Sequence, residues 1–205
     1  MGAWLDLAFD FIDEPARAAA AARARRPVAA AVAAVLLAAV SLFLAQAVSV
    51  SFLPVSSGPF SFVFICAWRV IGTFLLAGVL HLTVEVVARR GFGAHHADPP
   101  SRGQAAGLFV LLGLSDLAWT LALPGVLILK ALGLDNWLTV WLLIGALGTL
   151  SIRYMARSVR ENYGLSSPMA WTIVSLPYIG LAVLGAGFFA LAVGGVVVSM
   201  LKMFS

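Results

Sequence analysis

Charge is scarce in this 205-residue chain: charged side chains make up 11% of it, against about 25% in soluble domains. Cysteine is scarcer still. Cys66 stands alone inside an apolar run, which excludes an internal disulfide and a thiolate metal cluster and leaves it reading as a small buried apolar residue. Catalytic signatures are missing as well. Neither an HExxH zinc pattern nor a GxSxG elbow occurs, since Ser115 sits in GLSDL, and Gly91 with Gly93 is only a fragment of a dinucleotide fingerprint.

What remains is hydrophobic: 62% of the residues are apolar. A soluble core of this size needs far fewer, and lipid is the solvent that accepts the rest. Five long apolar runs are present, at about 28–53, 60–88, 104–132, 136–157 and 168–201. Each exceeds the roughly 20 residues that cross a hydrocarbon core of about 30 Å. The first has a basic flank and an Ala45-Gln46-Ala47 stretch resembling a cleavage site. Its apolar part is longer than the roughly 7–15 residues of a signal core, so it is expected to stay as a span. Pro124 and Pro177 predict kinks in the third and fifth spans.

Residues 3–24 read differently. Asp6, Asp10 and Asp13 recur on one helical face, with Trp4, Leu5, Ala8, Phe9, Phe11 and Ile12 around the other. Pro15 interrupts the pattern, and an Ala-rich stretch leads to Arg23, Arg25 and Arg26. Such a segment suits the membrane interface rather than its centre. The expected architecture is therefore all-α: residues 1–27 as a cytosolic, interfacial amphipathic segment, then one five-helix transmembrane bundle over 28–205.

Basic residues outnumber acidic ones 13 to 9, and their positions orient the chain. Arg17, Arg23, Arg25, Arg26, Arg89, Arg90, Arg102, Arg153, Arg157 and Arg160 fall on one side of an alternating five-span layout, and Lys130 and Lys202 fall on the other. The positive-inside rule puts the N-terminus in the cytoplasm and the C-terminus outside, in the periplasm of a cell inner membrane. The Arg-over-Lys bias and abundant Ala fit a GC-rich bacterial genome. Loop arginines serve this topology and anionic headgroups, so nucleic acid is not an expected partner.

Two charges lie within spans, where they are expensive and call for a partner. Arg69 is nine residues past Phe60, or about 14 Å below the outer start of its helix. Asp116 is twelve residues past Gln104, or about 18 Å from the inner start, leaving it about 12 Å from the outer side. The two are expected at one depth on consecutive antiparallel helices. That geometry suits a structural ion pair locking the second span to the third, with a proton or ion relay as the alternative.

A polar cluster of His81, Glu85 and Arg153 is expected at the cytoplasmic end, with His95, His96 and Asp98 on the next loop. His81 and Glu85 are too few ligands for a metal site, so neither metal nor cofactor is expected. Ala182, Ala186, Ala190 and Gly194 form a small-residue stripe on the fifth span, expected to pack inside the bundle or to form a dimer seam. Ala30, Ala34 and Ala38 make a similar stripe on the first, and Gly103 and Gly107 open the third.

The layout as a whole resembles the prokaryotic branch of the YIP (Ypt-interacting protein) membrane family. The resemblance rests on Phe11 and Pro15 before the first span, and on His81, Gly91, Gly93 and Gln104 around the second loop. Trp137 and Trp141 in the fourth span add to it, as do Tyr163-Gly164-Leu165-Ser166, Ala170 and Pro177 leading into the fifth. It implies a five-span bundle with a cytosolic N-terminus. Eukaryotic members bind small GTPases and shape membranes, but their Asp-Leu-Tyr-Gly-Pro motif is absent here. The expected role is a non-enzymatic scaffold, assembly or membrane-organising subunit whose partners are lipids, other membrane proteins or further copies of itself. A small transporter or channel component using Arg69 and Asp116 is the alternative.

Overall fold

The computed structural model describes residues 3–49, 59–89 and 104–203, and no strand occurs among them. Two short helices, α1 (Ala3–Asp13) and α2 (Pro15–Arg25), precede α3 (Val28–Val48) and α4 (Pro59–Arg89). The third run is composite: α5 (Ala105–Ser115), a 3-10 segment (Asp116–Leu121) and α6 (Ala122–Ala131). Then come α7 (Trp137–Tyr163) and α8 (Ser167–Met203). Five of these units, over Val28–Val48, Pro59–Val87, Ala105–Ala131, Trp137–Tyr163 and Ser167–Val193, are long and apolar enough to cross a membrane. The chain is an all-α, multi-pass membrane protein.

The third span is the axis of the bundle. Residues 107–115 of α5 are all buried, with α1, α2, α3, α4 and α7 packed around them. Small residues set the spacing. A Cβ added to Gly113 would lie 2.7 Å from Ala31 Cβ and 2.9 Å from Ala31 Cα, so α3 and α5 touch backbone to backbone there. Ala34 and Ala38 continue that buried face of α3. Gly107 is similarly tight: its Cβ would meet Asn162 Oδ1 at 3.2 Å and Arg23 Cγ at 3.4 Å.

The N-terminal segment is held by the bundle as well as by any interface. Leu7 and Phe11 are buried, and Phe11 meets the Tyr154 ring edge-on at 5.5 Å between centroids. Ala18, Ala19 and Ala22 of α2 are fully buried, because methyl side chains let this helix settle onto α5 and α7. Arg23 Nη1 donates to the carbonyls of Glu161 and Asn162, at 2.9 and 3.1 Å, and Arg157 Nη1 donates to the Ile12 carbonyl at 3.0 Å. These bonds cap the carbonyl end of α7 and hold α1 to it. Trp4, Leu5, Phe9 and Ile12 stay exposed as the apolar outer surface of α1.

At the opposite end the joints are shorter. Asn136 caps α7 by accepting from the Thr139 amide at 3.1 Å. Lys130 Nζ donates to the Val48 carbonyl at 3.1 Å, and Ser49 Oγ to Asp135 Oδ1 at 2.6 Å. Back at the arginine end, Gly164, with φ of 65°, ends α7 in the left-handed region where a side chain is unfavourable.

Two boundaries differ from the sequence reading. The fourth span, α7, runs on to Tyr163 instead of ending near 157, so Arg160 lies on the helix with Arg153 and Arg157. Charges do not stop a helix; they only stop its burial in hydrocarbon. The third span is interrupted by the 3-10 segment ahead of Pro124, whereas α8 continues through Pro177. Cys66 is half-buried rather than buried, because α4 shows most of its surface to the outside.

The interruption is stitched by one hydroxyl. Pro124 has no amide proton and its ring crowds the carbonyl four residues back, that of Thr120. Ser41 Oγ on α3 donates to this carbonyl at 2.8 Å and accepts from the Leu123 amide at 3.0 Å. Replacing Ser41 by Ala leaves both backbone groups without that partner and should cost about 1–3 kcal/mol, read as a lower thermal midpoint in detergent. Gly113→Val should cost at least about 1–3 kcal/mol by overpacking. Pairing the smaller change Gly113→Ala with Ala31→Gly should recover little of the loss that Gly113→Ala causes alone, because the new Cβ would still lie 2.9 Å from Ala31 Cα and 3.0 Å from its carbonyl oxygen.

Candidate functional site

The 3-10 segment turns the side chains at its start toward α4 and α7. Asp116, 7% exposed in its side chain, sits 3.1 Å from Arg69 Nη2 through Oδ1. Its other oxygen, Oδ2, lies 3.4 Å from Thr73 Oγ1, one helical turn beyond Arg69 on α4. Thr73 Oγ1 also reaches the Arg69 carbonyl at 2.9 Å. The Arg69 guanidinium stacks over Trp119 with 5.7 Å to the ring centroid. The cation thus has a carboxylate and an aromatic face, and the anion has a guanidinium and a hydroxyl within reach. Such mutual satisfaction is what makes a charge tolerable at this depth.

A cavity of about 340 Å³ opens beside the pair, with Trp68, Gly72, Gly148, Ser151, Met155 and Tyr178 among its walls. Tyr178 Oη reaches Met155 Sδ at 3.6 Å. Ser151 is buried, and its Oγ has no hydrogen-bond partner among the described residues. The cavity therefore joins α4, the third span, α7 and α8 around one ion pair and one unsatisfied hydroxyl.

The polar groups toward the basic end divide into two places. His81 Nε2 lies 3.4 Å from Glu85 Oε1, and His81 Nδ1 lies 2.6 Å from Tyr163 Oη, with the two rings stacked. Arg153 does not belong with them. Tyr163 shares the core face of α7 with Ala156 and Val159, whereas Arg153 is exposed beside a separate cavity, about 15 Å back along the helix axis. The expected triad of His81, Glu85 and Arg153 is thus replaced by His81, Glu85 and Tyr163. Among the described residues no three His, Cys, Asp or Glu side chains gather as metal ligands. His95, His96, Asp98, Gly91, Gly93 and Gly103 lie outside the described residues.

The small-residue stripe of the fifth span also lies elsewhere than inside this bundle. Ala182, Ala186 and Ala190 are exposed, as is every other residue from Tyr178 to Val193. Gly194 follows on α8 in the same register. The bundle contacts of α8 come from its first part, where Ala170, Ile173 and Val174 are buried. A stripe of small residues permits close packing but does not say against what.

Several functional contacts went unnoticed in the sequence. Thr73 is four residues after Arg69 and Trp119 three after Asp116, each one turn from the charge on its own helix and in contact with the charge on the other, so helical spacing from Arg69 and Asp116 could have flagged them. Tyr163 and Ser41 carry no such signal, since their partners are far away in sequence. No family model matches this chain, and neither a curated protein nor a solved structure matches it.

Removing one member of the pair strands the other in an apolar surround. Arg69→Met or Asp116→Asn alone should destabilise the protein by about 3–5 kcal/mol, while the double variant should lose much less. Thermal melting of the three proteins in one detergent reads this directly. The exchanged pair, Arg69→Asp with Asp116→Arg, should assemble better than either of its single changes. Equal failure of all three would show that the two charges do not support each other.

Proposed function

We propose that this protein is a non-enzymatic membrane-organising, scaffold or assembly subunit that works through helix and lipid contacts. The observation that carries the reading is the outer part of α8. From Tyr178 to Val193 it is exposed on every side, with Ala182, Ala186 and Ala190 in its surface. At 37 residues the whole helix is about 55 Å long, well beyond the roughly 30 Å of a hydrocarbon core. A helix that spends so little of its length on its own bundle is suited to another helix, from a second copy or a different membrane protein, or to lipid. The ion pair supports the same reading, because Arg69 and Asp116 satisfy each other. The resemblance to the YIP family points the same way. In this reading the chain sits in a bacterial inner membrane with its N-terminus cytoplasmic and its C-terminus periplasmic, the orientation that its arginines favour.

The cavity at Arg69 and Asp116 favours a second reading, a small transporter or channel component. Its support is Ser151 Oγ, buried beside an ion pair without a partner of its own, as a site awaiting a polar occupant would have.

One preparation separates the two. Replace Cys66 by Ala and Ala186 by Cys, and oxidise native membranes. The scaffold reading expects a disulfide-linked or otherwise cross-linked species that Cys placed at Leu184 gives less efficiently. Purified protein in liposomes holding a pH-sensitive dye should then leak protons no faster than empty liposomes. Proton flux that disappears in Asp116→Asn, together with no cross-link at position 186, would replace the scaffold by the transporter.

A further inference from the structure

A second cavity, of about 520 Å³ and with several polar side chains in its walls, lies away from the ion pair, between α7 and α8. Arg153, Arg157 and Arg160 face it from α7, with Tyr154 beside them, and Ser167 and Trp171 face it from the first turns of α8. The arginines follow at intervals of four and three residues, which puts them on one stripe of the helix. No acidic side chain lines the cavity among the described residues.

The arginines are not spent on one another's neutralisation. Arg160 is ion-paired with Glu161, its Nε and Nη2 both donating to Oε1, at 2.9 and 2.5 Å, and Arg157 uses one Nη on the neutral Ile12 carbonyl. Arg153 makes no hydrogen bond or ion pair with any described residue and is exposed. Arg153 and Arg157 therefore leave the cavity wall an excess of positive charge, with guanidinium N–H groups that no described residue uses. The amino end of α8 adds its own partial positive charge from the same side.

Depth selects the kind of anion. The segment of α7 from Trp137 to Ile152 carries no charge, and at 16 residues it covers about 24 Å, most of a hydrocarbon core of about 30 Å. Arg153 thus stands where hydrocarbon gives way to headgroups, and Arg160 lies about 10 Å further out. Leu150 lines the cavity at its apolar end, and Trp171, 41% exposed, borders it on α8. Amphipathic rings favour that depth. A ligand filling the cavity would meet guanidinium at one end and hydrocarbon at the other.

We propose that the cavity between α7 and α8 binds the phosphate of an anionic phospholipid through Arg153, Arg157 and Arg160, with the acyl chains leaving past Leu150 and Trp171. Arginine suits this task because its planar fork donates two hydrogen bonds to phosphate oxygens at once. The lipid would bridge the last charged turns of α7 to the start of α8, joining the bundle to the helix that extends from it. The site stands whether the protein is a scaffold or a transporter.

The test uses the full chain in phosphatidylcholine vesicles containing a small fraction of brominated lipid, with tryptophan fluorescence as the readout. Brominated phosphatidylglycerol should quench more than brominated phosphatidylcholine, with an apparent affinity higher by on the order of tenfold. Trp171→Phe should remove that excess, which locates it. Arg153→Gln with Arg160→Gln should lower the affinity by about tenfold, whereas Arg153→Lys with Arg160→Lys should keep most of it; Arg157 stays in place because it holds α1. Equal quenching by the two lipids in the unaltered protein overturns the proposal without any variant. So does an excess that survives Trp171→Phe. Inorganic phosphate at millimolar concentration should not displace the excess. Displacement by phosphate alone would make the ligand a soluble phosphate and overturn the lipid assignment.

Discussion

Hydrocarbon offers no hydrogen-bond partner, and that constraint explains why the third span lies at the centre. Its helix is interrupted at Asp116–Leu121, so it holds a charge and loosened backbone groups at a depth where lipid could satisfy neither. Each is met from a neighbouring helix. α4 supplies Arg69 and Thr73 to the carboxylate, and α3 supplies Ser41 to the Thr120 carbonyl and the Leu123 amide. An interrupted helix is admissible in a membrane only when it is wrapped, and burial of α5 across residues 107–115 is that wrapping. About three turns from Ser41 on α3, Ala31 meets Gly113 and brings α3 and α5 into backbone contact.

The two ends of the bundle are built differently, and charge is the reason. At the end carrying the arginines, long guanidinium side chains reach across elements: Arg23 to the last carbonyls of α7, and Arg157 to α1. Capping by a cation relieves carbonyls that a helix end leaves open, and it ties α1 and α2 to the bundle. At the other end the ties are fewer and mostly shorter side chains make them: Asn136 caps α7 with Thr139, Ser49 bonds Asp135, and Lys130 reaches the Val48 carbonyl. Function is read most readily at the arginine end, where charge exceeds what structure consumes. Arg23 is engaged by two carbonyls, while Arg153 is held by no described residue.

α8 is the exception to this economy. Its beginning joins the bundle through Ala170, Ile173 and Val174, and its continuation past Tyr178 is exposed. The same helix therefore borders the basic cavity at its start and offers a smooth apolar arm beyond. Lipid at one end and a helix or lipid along the other would both be held by a single element.

The sequence alone determined the elements that rest on local or one-dimensional physics. Five apolar runs of spanning length, the amphipathic character of α1 and the clustering of arginines toward one side need only hydropathy, helical period and charge order. The meeting of Arg69 and Asp116 was legible for a related reason, since antiparallel helices of known rise place residues at calculable depth. Rotation and packing partners were decided only by the tertiary structure. Depth says nothing of which way a side chain faces, so Arg153 was placed with His81 and Glu85, yet it faces the α7–α8 cavity while Tyr163 takes its place. A stripe such as Ala182, Ala186 and Ala190 has the same pattern whether it is covered or bare, because small residues permit contact without specifying it. Ser41 gains its meaning only from a proline 83 positions away, brought alongside by packing that no local pattern encodes.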